Sequence, residues 1–468
     1  MEQSDILDHR DNPPPNEICL PANYKFLEIM GKGCYGVVAK CFKEDSKETV
    51  AVKVSRYTEN AKTEVVMLQN LMSQGLDEHN IVRFHESFET DEGNALVFEI
   101  LDMSLHDYMI NRMAPAPLEG IRTVIQQLAT ALNALRNIGV IHTDIKLDNI
   151  MLVDHRRQPF RVKLIDFGLA IPRSEARQGV QYQPCYCRSP EIILGAPFSE
   201  AIDMWSLGCV MAAMLGVVLF PGRCEYDLMR DMVDLFGQPT DDFLDAGLKS
   251  EKFFVKLSGS QWSLKLCKGT GSYHRDHTFH SLDALKMMNL DNEDHAEVAD
   301  RSECIELLKG MLKMDPRERI TPSEVLRHPF ITKSHLNGIP HSFAEFFWST
   351  SSSEDIVDSA SEDIWMSIED IFESSDSSAD IFWSASTTGQ CEDVPDQRRE
   401  LDNRSSAEEW MMAREEFAES INSSAEIFWS TLPPEGVLAH PTNSGASEEN
   451  FITASEESFE SSSRNAVP

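Results

Sequence analysis

The apolar residues between positions 24 and 101 follow the short alternation of β-strands, with turn residues separating the runs. Side chains two residues apart lie on one face of a strand, so this spacing predicts a sheet. The predicted strands are 24–29, 36–41 and 49–54. One helix is predicted near Ala61 to Ser73, where Val65, Leu68 and Met72 share a face.

From residue 102 to about residue 330 the apolar period lengthens to that of helices. Clear examples of predicted helices are 121–138, 201–215 and 302–312. A small β-rich half followed by a larger helical half indicates an α+β fold with a ligand cleft between the halves.

Both ends of the chain lack such patterns. Residues 1–23 are polar and contain three consecutive prolines, which predicts a disordered leader. Residues 333–468 are rich in Ser, Asp and Glu and contain three near-copies of one aromatic tetrapeptide. The copies are Phe346–Ser349, Ile381–Ser384 and Ile427–Ser430. Their unequal spacing argues against a solenoid and favours a disordered tail that docks short amphipathic pieces onto partners. A solvated spacer is the alternative.

Negative charge is concentrated in this tail. The chain carries 42 Lys and Arg against 77 Asp and Glu, a formal net charge of −35. Residues 341–468 hold 28 acidic and 5 basic residues, a net charge of −23. Because contacts to phosphate groups need Lys and Arg, this balance argues against direct binding of nucleic acid or of an anionic membrane surface.

The sequence also lacks the apolar segments that secretion signals and membrane spans use. We therefore expect a protein that is neither secreted nor membrane-spanning. The ten Cys are scattered, and the close pair Cys185 and Cys187 has no second pair to complete a zinc pattern. This usage indicates a reducing compartment, so we expect the nucleus, the cytoplasm or both.

The strongest chemical signal is the loop His142–Asn149, followed by Asp166–Gly168. The pattern H-x-D-x-K-x-x-N and then D-F-G combines two acids, a cation and an amide, and chance matches to it are rare. Phosphoryl transfer uses such a set. We expect Asp144 to accept the proton of a hydroxyl group and Lys146 to neutralise the γ-phosphate of ATP. Asn149 and Asp166 are the candidate ligands of Mg²⁺.

A second motif, G-x-G-x-x-G-x-V, lies between two predicted strands. Glycines let the backbone approach phosphates closely, and a Rossmann loop is excluded because a strand, not a helix, follows. The candidate ATP contacts here are Gly31, Lys32, Gly33, Cys34, Tyr35 and Gly36. Lys53, on the next strand, is placed to bind the α- and β-phosphates, with Glu64 on the following helix as its partner.

These motifs come in the order of the eukaryotic protein kinases, which the chain resembles from about Tyr24 to Phe330. Finer details resemble the homeodomain-interacting protein kinases, relatives of the dual-specificity tyrosine-regulated kinases. The segments that carry this likeness are Leu96–Glu99, Asn149–Asp154, Arg156–Pro159, Pro190–Gly195 and Ala201–Trp205. The resemblance implies a bilobal protein kinase fold with an N-lobe at 24–101 and a C-lobe at 102–332.

The resemblance also implies an adenine site. Phe98 is expected as the gatekeeper behind the adenine ring, with backbone groups of Glu99 and Leu101 pairing with its edge. The residues expected to sandwich the ring are Val38, Ala51 and Met151.

Structural roles follow from the same resemblance. Asp203 is expected to brace the catalytic loop, and Glu191 to form a buried ion pair with Arg319. Lys146, two residues after Asp144, matches the form of the loop found in Ser/Thr kinases.

The activation segment, between Asp166 and Glu191, departs from the resembling families. Gln181 stands where they have a tyrosine, Cys185 replaces an arginine, and Thr143 precedes the catalytic aspartate. A phosphate on this segment would therefore find fewer cations. Two interpretations stay open: the segment is ordered without phosphorylation, or the enzyme is weak.

The favoured hypothesis is an ATP- and Mg²⁺-dependent protein Ser/Thr kinase in signalling or transcription, acting on protein substrates. The acidic-aromatic tail would recruit partners such as transcriptional regulators. The alternative is a kinase-like scaffold with little or no catalysis, in which recruitment by the tail is the function.

Overall fold

The computed structural model describes residues 20–33, 36–55, 58–90, 93–222, 224–257, 261–266, 281–287 and 295–336. The predicted leader and tail fall almost entirely outside these ranges, as do the three tetrapeptide copies and the glycine-loop tip at Cys34 and Tyr35.

The N-terminal part is a five-stranded antiparallel sheet with the strand order β1-β2-β3-β5-β4. Its elements are β1 (Tyr24–Gly33), β2 (Gly36–Lys43), β3 (Glu48–Ser55), helix α1 (Thr58–Ser73), β4 (Phe84–Thr90) and β5 (Gly93–Glu99). Each of the three predicted strands lies within β1, β2 or β3.

The two faces of this sheet have different surroundings. Val50, Val52 and Val54 alternate along β3 toward one face, where they belong to a small apolar cluster. Ala51 and Lys53 therefore point to the opposite face, because successive side chains of a strand alternate. The sequence of β3 thus separates a face that packs into an apolar cluster from a face that carries Lys53.

Helix α1 packs against β5 on this second face. Ala61, Glu64, Leu68 and Leu71 recur every three or four residues and are all buried. Glu64 is the charged member of this buried stripe, and a buried charge is tolerated only with a partner.

The remaining described chain is mainly helical. Its helices are α2 (Leu105–Arg112), α3 (Leu118–Asn137), α4 (Pro190–Leu194), α5 (Ala201–Met214), α6 (Glu225–Phe236), α7 (Asp241–Asp245), α8 (Ser250–Phe253), α9 (His295–Met311), α10 (Pro322–Val325) and α11 (Pro329–Thr332). Its short strands are β6 (Val140–Ile141), β7 (Ile150–Asp154), β8 (Gln158–Leu164), β9 (Ile171–Pro172), β10 (Phe254–Lys256) and β11 (Trp262–Leu264).

Helix α5 is central to the helical part because it is apolar on every side, and its residues from Ile202 to Met214 are all buried. The Trp205 ring stacks on Phe220 at a centroid distance of 5.5 Å. Helix α3 brings a buried apolar face of its own to the same core, which positions the loop that follows it.

The predicted ion pair between Glu191 and Arg319 is confirmed. Two parallel N–H···O bonds of 2.6 and 3.0 Å join the side chains, and neither has any exposed surface. The guanidinium also donates to the carbonyl oxygens of Ala201 and Lys313. This pair fixes α4, and with it the end of the activation segment, to the loop before α10.

Helices α3 and α5 match their predictions closely, whereas α1 and α9 begin earlier than predicted, at Thr58 and His295. The first residues of α1 are polar, and residues 296–303 of α9 are not buried, so no regular apolar face marks where either helix begins. Within the described ranges, no helix combines the length and apolar character that crossing a membrane requires.

Candidate active site

Three of the predicted residues meet at one point. The Lys53 Nζ atom lies 2.9 and 3.1 Å from the two carboxylate oxygens of Glu64, and 3.0 Å from Asp166 Oδ1. Strand β3 supplies the lysine, α1 the glutamate, and the loop after β8 the second acid. The Lys53 ammonium group therefore joins three parts of the fold: the sheet, α1 and the loop that carries Asp166.

The three side chains of this contact have shifted pKa values, and the shifts differ in direction. Burial alone would lower the pKa of Lys53, but Asp166 and Glu64 raise it above its usual range, so the lysine is charged. Burial raises the pKa of Glu64 to about 7, although Lys53 opposes this. Burial also acts to raise the pKa of Asp166, but Lys53 outweighs it and holds the pKa below its usual range. Of the two carboxyl groups, Asp166 is therefore the stronger acid.

The catalytic loop is braced by Asp203, as predicted. Its carboxylate accepts hydrogen bonds from the backbone N–H groups of His142 and Thr143, at 2.8 and 2.9 Å. Thr143 has a φ of +69°, a conformation that is costly for a β-branched residue. Its hydroxyl donates to the carbonyl oxygen of Leu169 at 2.8 Å, which helps to keep it there.

Asp144, Lys146 and Asn149 are brought together on this loop. Asn149 Nδ2 donates to Asp144 Oδ2 at 2.7 Å and to its carbonyl oxygen at 2.9 Å, and Lys146 Nζ lies 3.8 Å from Asp144 Oδ2. Burial raises the pKa of Asp144, while Lys146 acts in the opposite direction. A carboxylate with a raised pKa and a fixed orientation is suited to accept a proton.

The oxygens near this loop fit a magnesium ion. Asn149 uses Nδ2 for its bonds, which leaves its Oδ1 as an oxygen ligand. Asp166 Oδ1 accepts from Lys53 and from the Gly168 N–H, whereas its Oδ2 has no hydrogen-bond partner among the described residues. In the part of the chain that the structure describes, no three or more His, Cys, Asp or Glu side chains are grouped so that they could hold a metal ion. Two oxygen ligands suit Mg²⁺, which usually completes its shell with water and substrate phosphates.

His142 has a role that the sequence did not specify. Its Nε2 lies 3.0 Å from the carbonyl oxygen of Ile165, and its Nδ1 accepts from the Asp144 N–H at 3.2 Å. The ring of buried Phe167 meets the His142 ring edge-on, with centroids 5.0 Å apart. The imidazole therefore ties the Asp144 loop to the Asp166 loop.

The residues predicted to surround adenine line one face of the sheet. In the strand register Val38 lies opposite Lys53, and Phe98 lies opposite Ala51. Directly opposed residues point the same way, so Val38, Ala51 and Phe98 share the Lys53 face, and all three are only half-buried.

The chain that follows β5 lies against β7. A bridge between Ser104 and Met151 places half-buried Met151 of β7 beside that segment. The Glu99 N–H donates to the Arg83 carbonyl oxygen at 3.1 Å, so a contact from Glu99 to adenine falls to its carbonyl oxygen alone. The Leu101 N–H and C=O have no hydrogen-bond partner among the described residues, which leaves both for a ligand.

The glycine motif forms a hairpin between β1 and β2, in which Gly31 pairs with Val38 and Gly33 with Gly36. Lys32 lies exposed on it. Gly36 has a φ of +145°, and a Cβ atom there would lie 2.0 Å from the Val54 carbonyl oxygen. Only glycine fits this position.

Two residues that the sequence did not indicate support the activation segment: Gln183 lies within it, and Glu225 lies on α6. Gln183 is buried and has a φ of +67°. Glu225 accepts a hydrogen bond of 2.9 Å from Gln181, one of the departing positions. Cys185, which also departs from the resembling families, is half-buried, and burial raises the pKa of its thiol. Neither Gln183 nor Glu225 belongs to a motif or a periodic pattern, so the sequence alone does not identify them.

Comparison with known proteins gives a consistent result. The family model described as protein kinase domain matches residues 24–331. Homeodomain-interacting protein kinase 1 of Mus musculus is 44% identical over 347 residues, which cover 69% of this chain and 29% of that protein. Homeodomain-interacting protein kinase 2 of Mus musculus is 42% identical over the same length and coverage. Homeodomain-interacting protein kinase 4 of Homo sapiens is 38% identical over 342 residues, 67% of this chain and 56% of that protein. The chain thus spans less than two thirds of the length of these relatives.

Proposed function

Because the chain belongs to the protein kinase family, we propose that it transfers the γ-phosphate of ATP to hydroxyl groups of Ser and Thr in other proteins. The observation that carries the proposal is the contact of Lys53 Nζ with both Glu64 and Asp166. A protein kinase needs its strand lysine and helix glutamate paired and its metal-binding aspartate in place at once.

In this proposal Lys53 binds the α- and β-phosphates of ATP while Glu64 holds the lysine in position. The Lys53 face of the sheet, with Val38, Ala51 and Met151, encloses the adenine ring, and Phe98 closes the back of the pocket. The Leu101 backbone pairs with the edge of the base. Burial excludes water from these contacts and strengthens them.

Asp144 orients the acceptor hydroxyl and takes its proton as the bond to phosphorus forms. Lys146, 3.8 Å from Asp144 Oδ2, neutralises charge on the phosphate in transfer. Asn149 and Asp166 hold Mg²⁺, which neutralises phosphate charge when bound. Lys146 at this position supports Ser and Thr as acceptors, because this form of the loop is that of Ser/Thr kinases.

We assign the tail, residues 333–468, to recruitment. The relatives are named homeodomain-interacting protein kinases. The acidic-aromatic composition of the tail supports partners among transcriptional regulators, and hence a signalling or transcription-linked role in the nucleus or cytoplasm. The rival function is a scaffold without catalysis, and Gln181 and Cys185 are the residues that favour it.

The test is phosphate transfer from ATP to a library of Ser and Thr peptides by the purified full chain. We expect incorporation that needs Mg²⁺ and that is lost in Asp144→Asn and in Lys53→Met. Asp148→Asn, on the same loop, is the matched control and should retain activity. Incorporation that survives Asp144→Asn would refute the assigned base, and nucleotide binding without any turnover would favour the scaffold.

A further inference from the structure

Arg188 is a buried cation in the activation segment, with 2% of its surface exposed. Its guanidinium donates to the carbonyl oxygens of Tyr182 and Gln183, at 3.0 Å and 2.8 Å. Its NH1 atom lies 3.3 Å from Glu225 Oε1. Glu225 therefore supplies a carboxylate to this buried charge.

The same carboxylate oxygen holds a second point of the segment. Gln181 Nε2 donates to Glu225 Oε1 at 2.9 Å. Glu225 is the first residue of α6, which is anchored in the core through Leu228, Met229 and Met232. One oxygen on a fixed helix thus joins both ends of the chain from Gln181 to Arg188.

Gln183, between these two points, is strained and tightly held. Its φ of +67° is costly for a residue other than glycine. Its Nε2 donates to the Ile202 carbonyl oxygen and to Ser206 Oγ, both at 2.8 Å, and its Oε1 accepts from the N–H and hydroxyl of Ser189. Such a conformation persists only where neighbours impose it, and Arg188 imposes it further through the Gln183 carbonyl oxygen.

This held turn borders the catalytic loop. The Tyr186 hydroxyl lies 3.5 Å from Asp148 Oδ2, between Lys146 and Asn149 in sequence. Tyr182 contributes to packing, with its ring 5.2 Å from that of Phe198. The turn therefore contacts the loop that carries Asp144.

We infer that Glu225 is a positioning residue, whose carboxylate holds Gln181 and Arg188 so that the activation segment keeps its substrate-binding form without a phosphate group. The inference rests on the proposed kinase function for its effect on activity. The α6 carboxylate supplies Arg188 with an anion from within the fold, and a charged partner of this kind is what a phosphate group on the segment would provide. The contacts of Glu225 thereby keep the segment ordered.

The hydrogen bond between Gln181 and Glu225 allows an isosteric test, because Gln and Glu differ only in one terminal group. Glu225→Gln leaves Arg188 without its carboxylate. The double variant Gln181→Glu with Glu225→Gln restores one carboxylate and one amide in exchanged positions. Glu251→Gln, an exposed acid on α8, is the matched control for the substitution itself.

Two measurements on the purified full chain decide the inference. Hydrogen exchange of residues 176–189 should increase in Glu225→Gln and return toward the wild-type rate in the exchanged double variant. The KM for a Ser/Thr peptide should rise about tenfold in Glu225→Gln, or about 1.4 kcal/mol, because the segment loses its substrate-binding form. The KM for ATP should stay unchanged, because Glu225 contacts none of the described residues assigned to ATP. Glu251→Gln should match the wild type in both, and phosphatase treatment of the wild type should change neither.

Unchanged exchange in Glu225→Gln would overturn the inference, and so would a loss of order or activity on phosphatase treatment. A double variant as disordered as Glu225→Gln would also overturn it. If the wild type transfers no phosphate to any peptide, the proposed function fails instead, and hydrogen exchange alone then decides the role of Glu225.

Discussion

Replacing Arg319 with Met should be among the most destabilising single changes in the helical part. The substitution leaves the Glu191 carboxylate fully buried without a cation, and it removes the donors to the carbonyl oxygens of Ala201 and Lys313. Breaking a buried ion pair by removing one partner costs about 3–5 kcal/mol. The lost carbonyl contacts place the expected loss in free energy of unfolding at the upper end of that range.

The assay is chemical denaturation of the full chain, followed by far-ultraviolet circular dichroism. The exposed pair of Lys40 and Glu28, 2.8 Å apart, is the control, and Glu28→Ala should cost about 0.2–1 kcal/mol. A double variant with Met at both Glu191 and Arg319 should lose less than Arg319→Met alone, because no charge is then left buried. An Arg319→Met cost no larger than that of the exposed control would refute the reasoning.

Two further predictions concern the cleft. Gly36→Ala should lower the melting temperature of the full chain, because the added Cβ atom would lie 2.0 Å from the Val54 carbonyl oxygen. Gly31→Ala is the control and should leave the melting temperature unchanged, because its Cβ atom would meet nothing within 4 Å. Equal melting temperatures for the two variants would contradict this prediction. The pKa of Glu64 is raised from its ordinary 4.5 to about 7, so its contribution to stability is complete below about pH 4.5 and is lost as the pH rises through about 7. In urea denaturation, the stability of the wild type relative to Glu64→Gln should therefore fall between about pH 5 and about pH 8; a rise would contradict the assigned shift.

The sequence predicted the elements whose apolar residues recur regularly or form a continuous run: strands β1 to β3 and helices α1, α3, α5 and α9. It placed the starts of α1 and α9 too late, because the first residues of α1 are polar and residues 296–303 of α9 are not buried. The motifs predicted that Lys53 pairs with Glu64, which is confirmed, but not that Lys53 also contacts Asp166. A pair that two consecutive elements bring together can be predicted from a sequence.

Long-range polar contacts could not be predicted in this way. Glu225 meets Arg188 across 37 residues, and no periodic pattern distinguishes it from an ordinary surface glutamate. The backbone strain at Thr143, Asp166 and Gln183, each with a positive φ, is likewise invisible in the sequence. It exists only because tertiary contacts impose it. From the sequence, Gln181 is only the replacement of a tyrosine, and nothing indicates the hydrogen bond that its side chain donates to Glu225.

The central claim is that the Asp144 loop transfers phosphate to Ser and Thr of other proteins. The most direct measurement compares, by mass spectrometry, the phosphorylated proteins of cells that express the wild type with those of cells that express Asp144→Asn at equal levels. The account predicts a set of Ser and Thr sites whose phosphorylation rises with the wild type alone. Identical phosphorylation in both, or a rise confined to tyrosine, would contradict it.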